Sequence, residues 1–307
     1  MKQQTVERGD NLELYLGQIA NLFDIGRIIS KTQKKQDIIA YYVLNKLTYR
    51  LFYSWQGFYH SGISYDGKRK KADFIEQARI IGEYIEDTRA RKVLELGCGL
   101  GPNSAFLARN CPEVKFDAID LASRPLKRFT KIPNLRFYSG DYHDLRKFED
   151  HSYDIVFAIE SLCYSTDKAQ VLREAKKKLR NGGIFIIFDL YQRNRANPLS
   201  HAEEIMWELI TKGVAANKFE CEREVEDYMR KEYSIAEAKD LSFCILPSFE
   251  RQESLARPYF NHPAFARAVN VLLPFDVVKN WFVVLLIPTS IRREIMCYHL
   301  HVLRNDG

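Results

Sequence analysis

The chain has 307 residues, 46% hydrophobic and 28% charged, with a formal net charge of +6. That balance excludes a disordered or fibrous chain and fits a globular protein, either one large domain or a domain with an elaborated cap. Cys98, Cys111, Cys163, Cys221, Cys244 and Cys297 form no Cys-x-x-Cys pair and no His/Cys ligand spacing, so reduced thiols, a cytoplasmic setting and no metal site are expected.

The first ten residues are polar and lack the apolar core of a signal peptide. Leu12, Leu14, Leu16, Ile19, Leu22 and Phe23 give a helix-compatible pattern, and a tyrosine-rich helical stretch runs from Ile38 to Tyr53. From Phe52 to Ile63, aromatic residues alternate with Gly57 and Gly62. Such density must pack on something, either as core under a cap or as a ligand-facing lid. His60, within it, is a candidate general base or a structural histidine. Phe74, Ala78, Ile81 and Ile85 then mark an amphipathic helix.

Val93 to Leu96 reads as a buried strand, followed by Gly97, Gly99 and Gly101 and by Ala105, Phe106 and Leu107 at helical spacing. Glycine lets the backbone turn sharply and a nucleotide-like ligand approach it. A dinucleotide loop needs Gly-x-Gly-x-x-Gly, but Pro102 occupies the last position, which disfavours NAD and FAD. Glu95, two residues before the first glycine, would repel a pyrophosphate and suits the ammonium of an amino acid.

A second strand, Val114 to Ile119, ends in Asp120, placed to accept ribose hydroxyls. A third, Leu135 to Tyr138, leads to Gly140, Asp141 and Tyr142, where a carboxylate can take an adenine amino group and a ring can cover its face. Tyr153 to Ile159 and Ile184 to Phe188 are the fourth and fifth. A helix from Lys168 to Leu179 lies between them, with Gly182-Gly183 as its stop. Strands alternating with helices imply a parallel sheet with ligands at the strands' carboxyl ends. Beyond Asp189, helices are expected around residues 202–210 and 222–231, and strands at 241–246 and 294–303. Between those strands, residues 257–290 read as an apolar insertion. It contains the longest apolar run, Trp281 to Ile287, flanked by Pro274 and Pro288. That run is far short of the ~20 residues of a membrane span.

Glu-x-Gly-x-Gly-x-Gly after a strand resembles motif I of the class I S-adenosylmethionine (SAM) methyltransferases, and the match runs from about Phe74 to Gln192. The resemblance implies an α/β, Rossmann-like sheet, parallel with an antiparallel final strand, and SAM as cofactor. Its binding residues would be Glu95, Gly97, Gly99, Gly101, Asp120, Leu121, Asp141, Tyr142 and Ile159. The implied organisation is a helical cap or arm over 1–72, a SAM-binding core over 73–256, the apolar cap insertion over 257–290 and the final core strand over 291–307.

Ala158-Ile-Glu-Ser-Leu-Cys-Tyr164 further resembles the stretch after the fourth strand in sterol and prenyl diphosphate C-methyltransferases, as the Trp55 to Gly62 loop resembles aromatic motifs upstream of their fold. This implies carbon methylation of an isoprenoid or lipid-like acceptor, with Glu160, His60 and Tyr164 as candidate catalytic residues. The sequence departs from those families at Val43, at the single histidine of the loop and at Tyr164. O- or N-methylation of a small natural product is the alternative, with His60 or Glu160 as base. A non-catalytic SAM-fold binding protein is another. No base-flipping Asn-Pro-Pro-Tyr-like motif follows the fourth strand, so nucleic acid is not an expected partner. Peripheral membrane contact and homo-oligomer formation stay open as partner readings.

Overall fold

Strands β1 (Lys92–Leu96), β2 (Lys115–Asp120), β3 (Leu135–Ser139), β4 (Tyr153–Ile159), β5 (Leu179–Gln192), β6 (Ser234–Asp240) and β7 (Met296–Arg304) form one sheet in the order β3-β2-β1-β4-β5-β7-β6. β1 to β5 pair in parallel, and β7 runs antiparallel to both β5 and β6. This computed structural model describes residues 11–31, 56–121, 125–214, 216 and 218–307. The helical stretch expected at Ile38 to Tyr53, and Phe52 to Trp55 of the aromatic loop, lie outside them.

Because side chains alternate along a strand, the sheet builds two cores. Val93, Phe116, Ile155, Phe157, Ile186 and Phe188 face one core, and Leu94, Leu96, Val156, Ala158, Phe185 and Ile187 face the other. The first is covered by α1 (Leu12–Ala20), α2 (Ile25–Ser30), α3 (Glu76–Asp87), α4 (Pro102–Asn110), α6 (His201–Gly213), α8 (Ser242–Asn261) and α10 (Phe275–Arg292). The second lies under α5 (Lys168–Lys178) and α7 (Glu222–Glu232). β4 is buried at every position, as a strand covered on both faces must be. Burying each of its large apolar side chains contributes about 1.5–3 kcal/mol.

The expected strand at 241–246 is instead the start of α8. Leu241, Ile245, Leu246 and Phe249 fall on one helical face and are buried, while the strand lies one element earlier, in β6. Its polar Ser-Ile-Ala-Glu-Ala-Lys-Asp sequence suits a sheet edge, where few side chains are covered. Gly182 and Gly183 do not stop α5, which ends at Lys178. They lie inside β5, where its register with β4 shifts.

Helices α8, α9 (Pro263–Leu272) and α10 fill the segment between β6 and β7; α1 packs on α8 and α10, and α2 on α6. The Tyr15 hydroxyl donates to Glu253 Oε1 at 2.5 Å, and the Phe23 ring meets Phe282 edge-on at 5.4 Å. The apolar run Phe282 to Ile287 is buried within α10, so it serves as core and presents no face to a membrane. The exposed apolar surface lies nearby on α9 and just beyond it, where Val271 is 86% and Leu272 79% exposed, with Phe265, Leu273 and Phe275 beside them.

Candidate active site

The sheet order reverses at β1, which pairs with β2 on one side and β4 on the other, and ligands of open α/β sheets bind at such a point. The loop leaving β1 has positive φ at Gly97 (76°), Gly99 (54°) and Gly101 (81°), backbone that glycine adopts without strain. The three glycines have different neighbours. A Cβ on Gly97 would come within 2.4 Å of Ser161 Cβ, and one on Gly101 within 2.4 Å of the Phe137 ring. Packing alone therefore demands glycine at both. At Gly99 the nearest atom would be on the Tyr59 ring, 3.7 Å away, so this glycine faces the open side of the loop, where a ligand can approach the backbone.

Acids surround the loop. Asp120, at the end of β2, accepts the Gly99 N–H at 3.0 Å. Glu95 lies beneath, 2% exposed, and its Oε2 accepts both the backbone N–H and the hydroxyl of Ser104 in the first turn of α4, favourable for an anion at a helix N-terminus. Burial pushes its carboxyl up to about 7. Ser104 thus holds Glu95 Oε2 from α4. Leu121 follows Asp120, and its carbonyl receives a long 3.4 Å bond from Ser139 Oγ. Ile159 is buried at the end of β4.

Asp141 Oδ1 accepts the His143 N–H at 3.0 Å and stands 2.6 Å from His143 Nδ1, while His143 Nε2 is 2.8 Å from Ser165 Oγ. Ser165 is buried and its Oγ also accepts the Asp167 N–H, so this Asp-His-Ser chain orients Asp141 and offers no exposed nucleophile. Tyr142 was expected to lay its ring on adenine. It is instead turned into the core, where its hydroxyl donates to the Ser161 carbonyl at 3.0 Å.

Glu160 follows β4 in a left-handed conformation, φ 45°. For a non-glycine residue that costs on the order of 1–3 kcal/mol and is found preferentially at functional sites. Its N–H donates to the Phe188 carbonyl at 2.7 Å, and its Oε1 accepts the Ser61 N–H at 2.7 Å. The Tyr298 side chain from β7 acts electrostatically on the carboxyl and lowers its pKa somewhat against the effect of burial. Burial, with Asp189 adding to it, pushes the Glu160 carboxyl up to about 8. Asp189 itself, fully buried, accepts the N–H groups of Cys163 and Leu190 and is raised to about 6 by burial. Tyr164 is half-buried beside this turn, its N–H donating to Ser161 at 3.3 Å.

The aromatic loop lies across these groups. Phe58 stacks on Phe74 with centroids 6.3 Å apart, and Ser248 Oγ bonds Gly62 through both its N–H and its carbonyl. His60 is buried and cannot reach a ligand as a base. Its Nδ1 is 3.0 Å from the Ser61 carbonyl and its Nε2 3.1 Å from Asn103 Oδ1, and burial lowers its pKa. Gln77 Nε2 donates to the Ser61 carbonyl at 2.6 Å and to the Tyr298 hydroxyl at 3.2 Å. Ser61, Gln77, Asn103, Ser104 and Tyr298 thus complete the site although no motif marked them. Only the alternation that makes Tyr298 inward-facing in β7 was readable.

A parallel sheet reversing at a glycine loop, with an acid after β2 and another after β3, defines an α/β protein of the class I methyltransferase kind. Residues 94–187 match a family model described as "Methyltransferase domain". Residues 94–187 of the chain thus carry a methyltransferase domain.

Three curated relatives share that part. The phthiotriol/phenolphthiotriol dimycocerosates methyltransferase of Mycobacterium tuberculosis (strain ATCC 25177 / H37Ra) is 34% identical over 112 residues, 35% of this chain and 41% of the relative. The O-methyltransferase rstn1 of Aspergillus nomiae is 32% identical over 146 residues, 44% of this chain and 64% of the relative. The sterol 24-C-methyltransferase of Saccharomyces cerevisiae is 28% identical over 164 residues, 50% of this chain and 43% of the relative. The chain thus spans 41% to 64% of the length of these relatives. Among solved structures, the cyclopropane synthase MmaA2 from Mycobacterium tuberculosis superposes with a TM-score of 0.67 over 90% of this chain and all of that one, at 16% identity; this likeness concerns the fold.

Proposed function

We propose that the chain transfers a methyl group from SAM to a small, largely apolar acceptor, and that the accepting atom is an alkene carbon of an isoprenoid or lipid-like molecule. The observation that carries the reading is Glu160: a carboxyl in strained backbone, raised by burial and held by the Ser61 N–H, directly after the strand that pairs with β1. SAM supplies an activated methyl for in-line displacement. The glycine loop, Asp120 and Asp141 position it, with Glu95 acting from below and Leu121 and Ile159 shaping the walls. Good alignment accounts for up to about 7–11 kcal/mol of the barrier.

As the methyl carbon bonds to one alkene carbon, its bond to sulfur breaks and positive charge develops on the neighbouring alkene carbon. The faces of Tyr59 and Tyr164 stabilise that charge, by up to about 2 kcal/mol each when desolvated. Glu160 removes the adjacent proton, and the C–H electron pair re-forms the alkene. A carboxyl near 8 is mostly protonated at neutral pH, but an approaching cation favours its ionised form. Turnover therefore rises with pH toward 8.

The relatives named for sterol and dimycocerosate methylation support an apolar acceptor. Residues 1–72 and 257–290 would bound its pocket as a cap. The exposed apolar tip of α9 suits peripheral contact with a lipid surface from which the acceptor is drawn. A cytoplasmic protein acting at that surface, without nucleic acid, fits the same reading.

The second reading, methylation of a hydroxyl on a natural product, is favoured by the Aspergillus O-methyltransferase and keeps Glu160 as base. Mass spectrometry of products formed from labelled SAM and a polarity-fractionated extract separates the two: C-methylated apolar products support the first, and exclusively O- or N-methylated polar products overturn it.

A further inference from the structure

On the far face of β7, Cys297, His299 and His301 occupy alternate positions and point to the same side, toward α7. Glu222 and Glu226, one turn apart on α7, face them. Glu222 Oε2 lies 3.1 Å from Cys297 Sγ and 3.2 Å from His299 Nε2, and Glu226 Oε1 lies 3.4 Å from His301 Nε2. His299 is 8% exposed, and neither of its ring nitrogens makes a hydrogen bond; His301 is fully buried, and its Nδ1 makes none. A protein interior rarely leaves such nitrogens unanswered. A cleft of about 400 Å³ opens beside His299 and Glu222, with Asp240 on its wall.

We propose that this face binds a single zinc ion through Glu222 Oε2, Cys297 Sγ and His299, with the fourth position open to the cleft. The donors of Glu222, Cys297 and His299 all lie within 4.8 Å of one another. The two measured separations, 3.1 and 3.2 Å, are close to the edges of a tetrahedron with metal bonds of about 2.0–2.3 Å. One thiolate, one imidazole and one carboxylate suit zinc rather than magnesium or calcium, which take oxygen ligands. Arg193 is paired to Asp240 and Arg230 to Glu226, both at 2.7 Å, so Glu222 is left facing the thiol, the imidazole and the Asn194 N–H. Burial keeps both imidazoles neutral, the form that ligates. Burial also holds the Cys297 thiol protonated, so its proton passes to solvent as the zinc–sulfur bond forms. The ion ties α7 to β7 beside the polar edge strand β6.

The test is calorimetric titration of zinc chloride into chelator-treated full-length protein, with cobalt(II) absorption as a second readout. We expect one ion per chain, proton release, a higher melting temperature, and a near-ultraviolet thiolate–cobalt band. Cys297→Ser should lose that band, and both it and His299→Gln should bind zinc at least about tenfold more weakly, while far-ultraviolet circular dichroism shows both still folded. His301→Gln should bind normally. Absence of stoichiometric binding by the wild type overturns the proposal, as does an unchanged cobalt spectrum in Cys297→Ser or loss confined to His301→Gln. If a variant fails to fold, the wild-type stoichiometry and cobalt band decide alone.

Discussion

Two sets of buried polar groups sit on one sheet, and they differ in how the protein answers them. Around the carboxyl ends of β1 and β4, Glu95 is met by Ser104, Glu160 by Ser61, Asp189 of β5 by Cys163 and Leu190, and His60 by Ser61 and Asn103. On the outer face of β7, the ring nitrogens of His299 have no hydrogen bond at all. The bonds around β1 and β4 hold the charged groups in place before any ligand arrives, which favours precise alignment for methyl transfer, although Ser61 Oγ and Gln77 Oε1 among them make no hydrogen bond. On β7, Cys297 bonds Glu222 and His301 bonds Glu226, so it is the His299 ring that leaves room for something from outside.

The sharpest way to break this contrast is Glu160→Gln. If Glu160 acts on the reacting atoms while the loop alone holds the cofactor, turnover should fall about 10²- to 10⁴-fold, with affinity for S-adenosylhomocysteine changed less than about twofold. A matched loss of affinity would mean that Glu160 merely holds the site together.

Next in size is the pH dependence of SAM binding. Burial has raised Glu95 to about 7, so between pH 5 and 7 it must give up a proton if an ammonium is to settle beside it. Affinity should then climb by close to tenfold per pH unit at the acid end and level off above 7. Glu95→Gln should flatten the curve; a mutant that keeps the slope points to another group.

Stability gives a smaller signal of the same origin. Glu95, Glu160 and Asp189 have folded-state values raised above those of the unfolded chain, to about 7, 8 and 6. The folded state therefore binds more protons in the window from about 4 to 8, and stability is greatest at its acid end and declines as pH rises through it. For Glu160, which is half-buried, roughly 1–2 kcal/mol is at stake after screening. Melting curves of Glu160→Gln should decline less steeply over that window, and a slope equal to wild type would count against the buried carboxyl.

The smallest effect expected is that of His60→Gln. It should cost about 1 kcal/mol of stability through its two bonds and leave the shape of the pH–rate profile unchanged. Disappearance of a titration from the profile would restore His60 as a base.

The parts of this architecture that depend on neighbouring residues were legible in the sequence. β1 to β4 and the glycine turn follow from short apolar runs and their punctuation, and the buried strand 153–159 coincides with its expected bounds. What depends on distant partners was not. Ser61 and Tyr298 meet at the Gln77 amide from positions 237 residues apart, and no spacing rule connects them. β6 was missed because an edge strand needs little apolar character, while the Leu241 to Phe249 pattern beside it fits two periods until α8 packs. Cys297, His299 and His301 show no loop-type ligand spacing because a strand sets one face at alternate residues, and Glu222 and Glu226 are brought to that face by α7 alone.

The central claim is that the open side of the glycine loop holds SAM, and Gly99 tests it most directly. Gly97 and Gly101 are required by packing, whereas a side chain at Gly99 meets nothing closer than Tyr59. Calorimetric titration of SAM into the wild type and Gly99→Arg should give one site per chain in the first and no measurable binding in the second, with circular dichroism spectra of the two alike. A folded Gly99→Arg protein that binds SAM as the wild type does, or a wild type that binds none, would contradict the account.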